Sequence, residues 1–275
     1  MSPRPAKPPI LDKAGKPLSK AAAKLRMIKK LKCSVRFEKQ AWASGAKLIA
    51  GVDEVGRGSL FGPVVAAAVI LDPGYRIKGL RDSKLLDAAT RETLDRRIRE
   101  HAVGIAIAAV DAATIDRLNI YHASRLAMLH AVEALAPAPD HLLIDAMRIE
   151  HACPQTKIFY GDAQSISIAA ASIVAKVYRD AMIRALDGEH PGYDLASNKG
   201  YRSPRHIAAL RELGPSPLHR MSFAPAWSRS AQASLAFVEE LEQLEEGAEL
   251  TPVQRAQLRA AAWESNSRAA SAGDD

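Results

Sequence analysis

Three places in this chain end an apolar run in carboxylates, and acids placed that way can hold cations against a phosphodiester. The first is Leu48-Ile-Ala-Gly-Val52, followed by Asp53 and Glu54 and then by the turn Gly56-Arg57-Gly58. The second is Leu142-Leu-Ile144, which runs into Asp145, and the third is Tyr160-Gly161-Asp162. Each has a plain alternative: a solvated strand end for the Asp-Glu pair, or a helix cap for Asp162. Neighbouring residues of a strand point to opposite faces. Asp53 and Glu54 therefore serve one site only if the strand breaks at Glu54, and the two glycines favour such a break. Strand ends are where α/β sheets present functional groups. Oxygen donors without His or Cys suit Mg2+ or Mn2+. Two such ions roughly 4 Å apart are the usual arrangement for in-line phosphodiester cleavage. His122, His130, His206 and His219 lack the spacing of a zinc site and read as structural.

The elements that must position these acids follow from periodicity. Strands are expected at Leu48–Val52, Val64–Leu71, Val103–Val110, His141–Asp145 and Lys157–Tyr160. Helices are expected at Asp87–His101, Ile115–Leu135 and Ile168–Leu186, with two further helical patterns at Ser230–Glu246 and Pro252–Glu264. A run of strands followed by alternating strands and helices implies one α/β domain around a mixed sheet with helices on both faces.

Charge divides the chain differently. The formal charge is +7 and the pI about 9.4. Residues 1–44 carry twelve Lys or Arg against two acids, and residues 229–275 carry four Arg against nine acids. The expected organisation is a basic, disordered arm at 1–44, a catalytic domain at 45–228 and an acidic, helical or partly disordered tail at 229–275. Within the arm, Lys24–Lys32 has the pattern of a short basic helix. The arm reads either as a nonspecific tether for a duplex or as a solvated extension. Two cysteines, Cys33 and Cys153, make no disulfide framework and point to a reducing compartment. The longest apolar run, Val64–Leu71, is eight residues, too short to cross a membrane, and no secretory signal is visible. A soluble, cytoplasmic protein without a membrane partner is expected.

Several segments then carry a resemblance. GVDEVGRGSLFGPVVAAAVIL, Asp82-Ser83-Lys84, Leu118-Asn-Ile120, Leu143-Ile-Asp145, Gly161-Asp162, AAASIVAKVYRD and Lys199-Gly-Tyr201 closely resemble bacterial ribonuclease HII in order and spacing. The resemblance spans residues 47 to about 226 and ends in His219-Arg-Met-Ser-Phe-Ala-Pro225. It implies the ribonuclease H fold, a mixed five-stranded sheet flanked by helices. It also implies an endonuclease, taken here as a monomer, that cuts RNA in RNA/DNA hybrids and 5′ of a ribonucleotide embedded in duplex DNA. Two metal ions, Mg2+ or Mn2+, would leave 3′-OH and 5′-phosphate ends.

By position, Asp53, Glu54, Asp145 and Asp162 match the family's metal-binding and catalytic carboxylates. Gly56, Arg57 and Gly58 match the loop whose backbone contacts the ribose 2′-OH, the group that separates RNA from DNA. Tyr201 matches the tyrosine that packs on the adjoining deoxyribose; without the motif it would read as a half-buried core residue. Ser83, Lys84, Ser172 and Lys176 match positions near the phosphates, where a turn cap and helix packing are the plain alternatives. One departure stands out: Ala196-Ser-Asn198 replaces a run that is basic or contains His in many members, so nearby phosphate contacts should differ. Type III ribonuclease H is the nearest rival, but Arg57 and the low-complexity arm favour type II. A catalytically inactive duplex-binding protein on the same fold is the other, disfavoured by four acids that would be costly to bury without metal.

Overall fold

The computed structural model describes residues 30–226 together with Arg26 and Ile28. Five strands form one sheet: β1 (Ile49–Val55), β2 (Val64–Leu71), β3 (Ala102–Val110), β4 (His141–Asp145) and β5 (Gln155–Ile158). Their order is β3-β2-β1-β4-β5. β1 pairs antiparallel with β2, and β2 with β3, while β1–β4 and β4–β5 are parallel. The sheet is thus mixed, and β1, β4 and β5 end at the same edge.

The helices are α1 (Arg36–Ala43), α2 (Ala88–His101), α3 (Ala112–Leu118), α4 (Ile120–Glu133), α5 (Ile166–Leu186), α6 (Leu195–Asn198) and α7 (Pro204–Leu213). They cover both sheet faces, as the alternation of buried strand residues requires. Val64, Ala66, Ala68 and Ile70 of β2 join Ala123, Ala127 and Met128 of α4 in one core. Ala67 and Val69 face the other way, onto Leu94 and Ile98 of α2 and the small residues Ala169–Ala171 and Ala175 of α5. Alanine on both sides of this second layer lets α5 lie close to the sheet. At Gly51 the approach is closest: an added Cβ would stand 2.0 Å from the backbone carbon of Ser167. That contact fixes the long helix against the strand that carries Asp53.

Several boundaries differ from the pattern reading. β1 continues through Val55, and the break falls at Gly56 (φ +93°), two residues past the expected position at Glu54. The single helix expected at Ile115–Leu135 is two, because Asn119 adopts φ 66° and its side chain caps the second half through the N–H groups of Tyr121 and His122. β5 starts and ends two residues early, since Tyr160 turns into the left-handed region at φ 55°. Residues 36–43 fall within the basic arm of the sequence reading, yet they form α1. This helix buries Ala41 and Glu38, and Phe37 and Trp42 pack against a core of Ile49, Leu143, Ile158 and Ile168. Its exposed Arg36 and Lys39 make the stretch look like more of the arm, while its inner face carries the packing residues. The helices expected at Ser230–Glu246 and Pro252–Glu264 lie outside the described residues, as do residues 24, 25, 27 and 29 of the expected helix Lys24–Lys32.

Candidate active site

The shared strand edge gathers the acids. Val52 pairs with Ile144 across β1 and β4, and Asp145 pairs with Ile158 across β4 and β5. Asp53 and Asp145 therefore follow on adjacent strands, one position further along each. Behind them the chain leaves β5 through Phe159 and Tyr160 into a 3-10 turn, Gly161–Ala163, which carries Asp162. The Gly161 N–H donates to Asp145 Oδ1 at 2.7 Å, tying the turn to β4. Ser165 then caps α5 by accepting from the Ile168 N–H at 3.2 Å. Glu38 of α1 strengthens that helix start, accepting from the Ser165 hydroxyl at 2.6 Å and the Ser167 N–H at 3.0 Å. A carboxylate at a helix N-terminus is favourable both as a cap and against the macrodipole.

The four site acids have no such set of donors. Asp53 and Asp162 are buried, and Glu54 and Asp145 are partly so. Burial raises the pKa of Asp53 well above its usual value, and the charges of Glu54, Asp145 and Asp162 add to the rise. Glu54 and Asp145 are also held above the ordinary range, again mainly by burial. Asp162 is pushed up to about 6 by burial, with Asp82 and Asp145 contributing and Lys84 opposing. Glu54 Oε2 is buried without a hydrogen-bond partner. Two cations answer this charge: Lys84 Nζ stands 3.3 Å from Asp162 Oδ2, and Arg57 Nη1 stands 3.3 Å from Glu54 Oε1. Although burial disfavours its charged form, Lys84 has its pKa raised by the charges of Asp162, Asp53 and Asp82. The pocket is thus an excess of carboxylate oxygen, which suits a hard divalent cation. Among the described residues, no three acidic, His or Cys side chains are already closed into a metal cage. An open set fits a cation that keeps water and phosphate oxygens in part of its shell.

The other expected site residues divide into two groups. Ser83 and Ser172 do not reach outward: their hydroxyls bond each other at 2.9 Å and pin the 3-10 turn Ser83–Leu85 to α5. This placement aims Lys84 at Asp162, and Asp82 caps the turn by accepting from the Lys84 N–H at 2.9 Å. Gly56, Arg57, Gly58 and Tyr201 lie together on the other side. Ser59 bridges to Tyr201, and the Leu60 N–H donates to the Gly200 carbonyl at 2.8 Å. Lys176 Nζ is 5.5 Å from the centroid of the Tyr201 ring and bonds Asp180 Oδ1 at 2.7 Å. On the same ring, the Arg179 guanidinium carbon lies 5.4 Å from the centroid.

The pattern reading assigned no role to Arg179 or Arg220 and took His206 and His219 only as structural; all four are buried behind this second group. The signal for the two arginines was weak, because a single Arg in a helix or loop ordinarily reads as exposed. His206 Nδ1 contacts the Tyr201 carbonyl at 3.0 Å, and its Nε2 lies 3.1 Å from His219 Nε2. His219 Nδ1 accepts from the Ser216 N–H at 2.9 Å. Protons can satisfy that chain in one way: His219 Nε2–H donates to His206, and His206 Nδ1–H donates to the Tyr201 carbonyl. Burial lowers the pKa of both rings, that of His219 to about 4, with His206 adding to its shift. Both are neutral side chains fastening the Tyr201 turn.

Comparison with known proteins agrees with this geometry. The family model described as Ribonuclease HII matches residues 50–226. A Ribonuclease HII of Koribacter versatilis (strain Ellin345) is 69% identical over 228 residues, 83% of this chain and 90% of that protein. One from Solibacter usitatus (strain Ellin6076) is 54% identical over 201 residues, 73% of this chain and 88% of the relative. In fold, the chain is similar to the crystal structure of ribonuclease H2 from Pyrococcus horikoshii OT3, with TM-score 0.55 and 23% identity, covering 69% of this chain and 98% of that one. With its acids at the strand edge, its glycine loop beside them and relatives of this identity, the chain belongs to the ribonuclease HII family and is a ribonuclease H.

Proposed function

We propose that the protein hydrolyses the RNA strand of RNA/DNA hybrids and cuts on the 5′ side of a ribonucleotide embedded in duplex DNA, leaving 3′-OH and 5′-phosphate ends. The observation that carries this reading is the gathering of Asp53, Glu54, Asp145 and Asp162 at one sheet edge, beside the Gly56-Arg57-Gly58 loop and Tyr201. Acids that repel one another, with one oxygen lacking a partner, are the donor set that Mg2+ or Mn2+ would relieve. When bound, two such ions supply charge neutralisation for an in-line displacement at phosphorus.

The chain's own residues do the rest. The four carboxylates hold the cations, and Lys84 and Arg57 temper the excess negative charge around them. The exposed backbone of Gly58 lets a sugar approach closely, which a side chain would prevent. Tyr201 offers a ring face to the neighbouring deoxyribose, and Lys176 beside it supplies positive charge toward a phosphate. Ser83 and Ser172 act by holding Lys84 in place, an indirect role.

The test is cleavage of a DNA duplex bearing one ribonucleotide, and of a continuous RNA/DNA hybrid, in Mg2+ and in Mn2+. Cutting of both substrates, 5′ of the ribonucleotide in the first, is expected. No cutting of either in either metal overturns the reading.

A further inference from the structure

Arg220 is fully buried and has no carboxylate partner within salt-bridge distance among the described residues. Its guanidinium donates to backbone carbonyls: Nε to Gly62 at 2.9 Å, and Nη1 to Gly56 at 2.7 Å and to Arg57 at 3.1 Å. Nη2 is buried with no partner at all. Arg179 is alike, donating to the carbonyls of Pro63, Lys199 and Phe61, each at 3.0 Å. Among the described residues no acid lies within salt-bridge distance of either guanidinium. Burial and the nearby Arg179 charge lower the Arg220 pKa to about 9, which leaves it charged at neutral pH. Two buried cations held by carbonyls and ring faces, with no carboxylate beside them, are costly to keep, and the carbonyls show where the charge acts.

They lead to the loop. A trans peptide places its N–H opposite its C=O. Arg220 draws the carbonyls of Gly56 and Arg57 inward, so the N–H groups of Arg57 and Gly58, which belong to the same two peptides, point outward. Neither N–H has a protein acceptor among the described residues. Two successive outward N–H groups form a concave donor site for an oxygen. A cation on the carbonyl side also polarises each peptide and strengthens its N–H as a donor. The mounting is rigid. Gly56 (φ +93°) has no room for a side chain, since a Cβ would stand 2.2 Å from Arg179 Nε. Asp116 holds the chain just after Arg220, accepting from the N–H groups of Met221 and Ser222 at 2.8 and 2.9 Å.

We propose that Arg220 is a specificity-determining positioning residue: from inside, it aims and polarises the Arg57 and Gly58 N–H groups so that they bind the ribose 2′-oxygen. This rests on the reading of the loop given under Proposed function. The two are separated by measuring binding in chelator, where no cleavage occurs. The wild type, Arg220→Lys and Arg220→Met are each titrated with a DNA duplex containing one ribonucleotide and with the same duplex made wholly of DNA. The wild type should prefer the ribonucleotide. Arg220→Met should lower that preference by about tenfold, the worth of one hydrogen bond to a charged group. Affinity for the all-DNA duplex should stay within about threefold, and Arg220→Lys should fall between. Misfolding would weaken both duplexes alike, so melting curves accompany the titrations. If Arg220→Met does not fold, Arg220→Lys decides the matter. A wild type without preference overturns the loop reading and this proposal together. A wild-type preference retained in full by the folded variants overturns this proposal alone.

Discussion

Two regions of the molecule handle buried charge in opposite ways. At the strand edge, four carboxylates crowd together, their pKa values raised first by burial and then by one another's charge, and a Glu54 oxygen is left without a partner. Behind the Gly56-Arg57-Gly58 loop, Arg179 and Arg220 are equally buried, and each makes three hydrogen bonds to backbone carbonyls. The first region is electrostatically incomplete and calls for cations from outside. The second is held from within, by the carbonyls that the two guanidinium groups grip. Glu38 marks the contrast within one residue type: it is a buried acid, yet it has a hydroxyl and an N–H at a helix start. The lesson is that burial of charge alone does not set the strand edge apart; the crowding of like charges there does.

The comparison can be broken most sharply at Asp53. Asp53→Asn should reduce turnover by more than about a thousandfold, roughly 4 kcal/mol in the barrier, because a neutral amide would be a poor substitute for a carboxylate in holding a cation. Melting in chelator should hold or rise, since one repelling charge is gone. Turnover within about tenfold of wild type would remove Asp53 from the metal ligands.

Tyr201 tests the recognition side. Tyr201→Ala should lower cleavage at a single ribonucleotide by roughly a hundredfold, through lost positioning, and lower cleavage of a continuous hybrid much less. Tyr201→Phe should stay near wild type if the ring face is what matters. Equal losses on the two substrates would make Tyr201 a general packing residue.

The strand edge also has a signature in pH. Asp162 has its pKa raised from 3.8 to about 6 in the fold, so it favours the folded state fully below 3.8, and that contribution is lost as pH rises through about 6. In chelator, the melting temperature of Asp162→Asn should therefore gain on the wild type between those two values. A gap that does not change with pH would mean that the repulsion at the edge is not felt by the fold.

The smallest expected effect is at Glu38. Glu38→Ala removes a cap and should cost about 1–2 kcal/mol of stability, read from thermal melting, while turnover at saturating substrate stays close to wild type. A large loss of turnover with little loss of stability would place α1 in the catalytic machinery.

Much of this arrangement was legible from residues. The apolar runs ending at Asp53 and Asp145 marked the sheet edge, because a strand buried on both faces has few other reasons to end in an acid. Three features escaped for identifiable reasons. The helix Pro204–Leu213 is not among the expected elements, although Ser203 with Pro204 is a helix start: the Ser203 Oγ accepts from the His206 N–H at 3.1 Å. Ser172 and Ser83 resembled phosphate donors, and nothing local revealed that they face each other across 89 residues. Arg179 precedes Asp180, but the acid pairs with Lys176 instead and the arginine turns inward. Such choices are made by tertiary packing, which periodicity does not encode.

The grip of Arg220 on residues 56 and 57 also has a consequence in time. The two ends of that contact are separated by 164 positions, and a chain made from its N-terminus folds as it emerges. All four acids have left the ribosome once Asp162 is out, before Arg220 has been joined to the chain. A nascent molecule would thus hold all four acids before the clamp on its glycine loop exists, and the loop is the last part of this edge to be made firm.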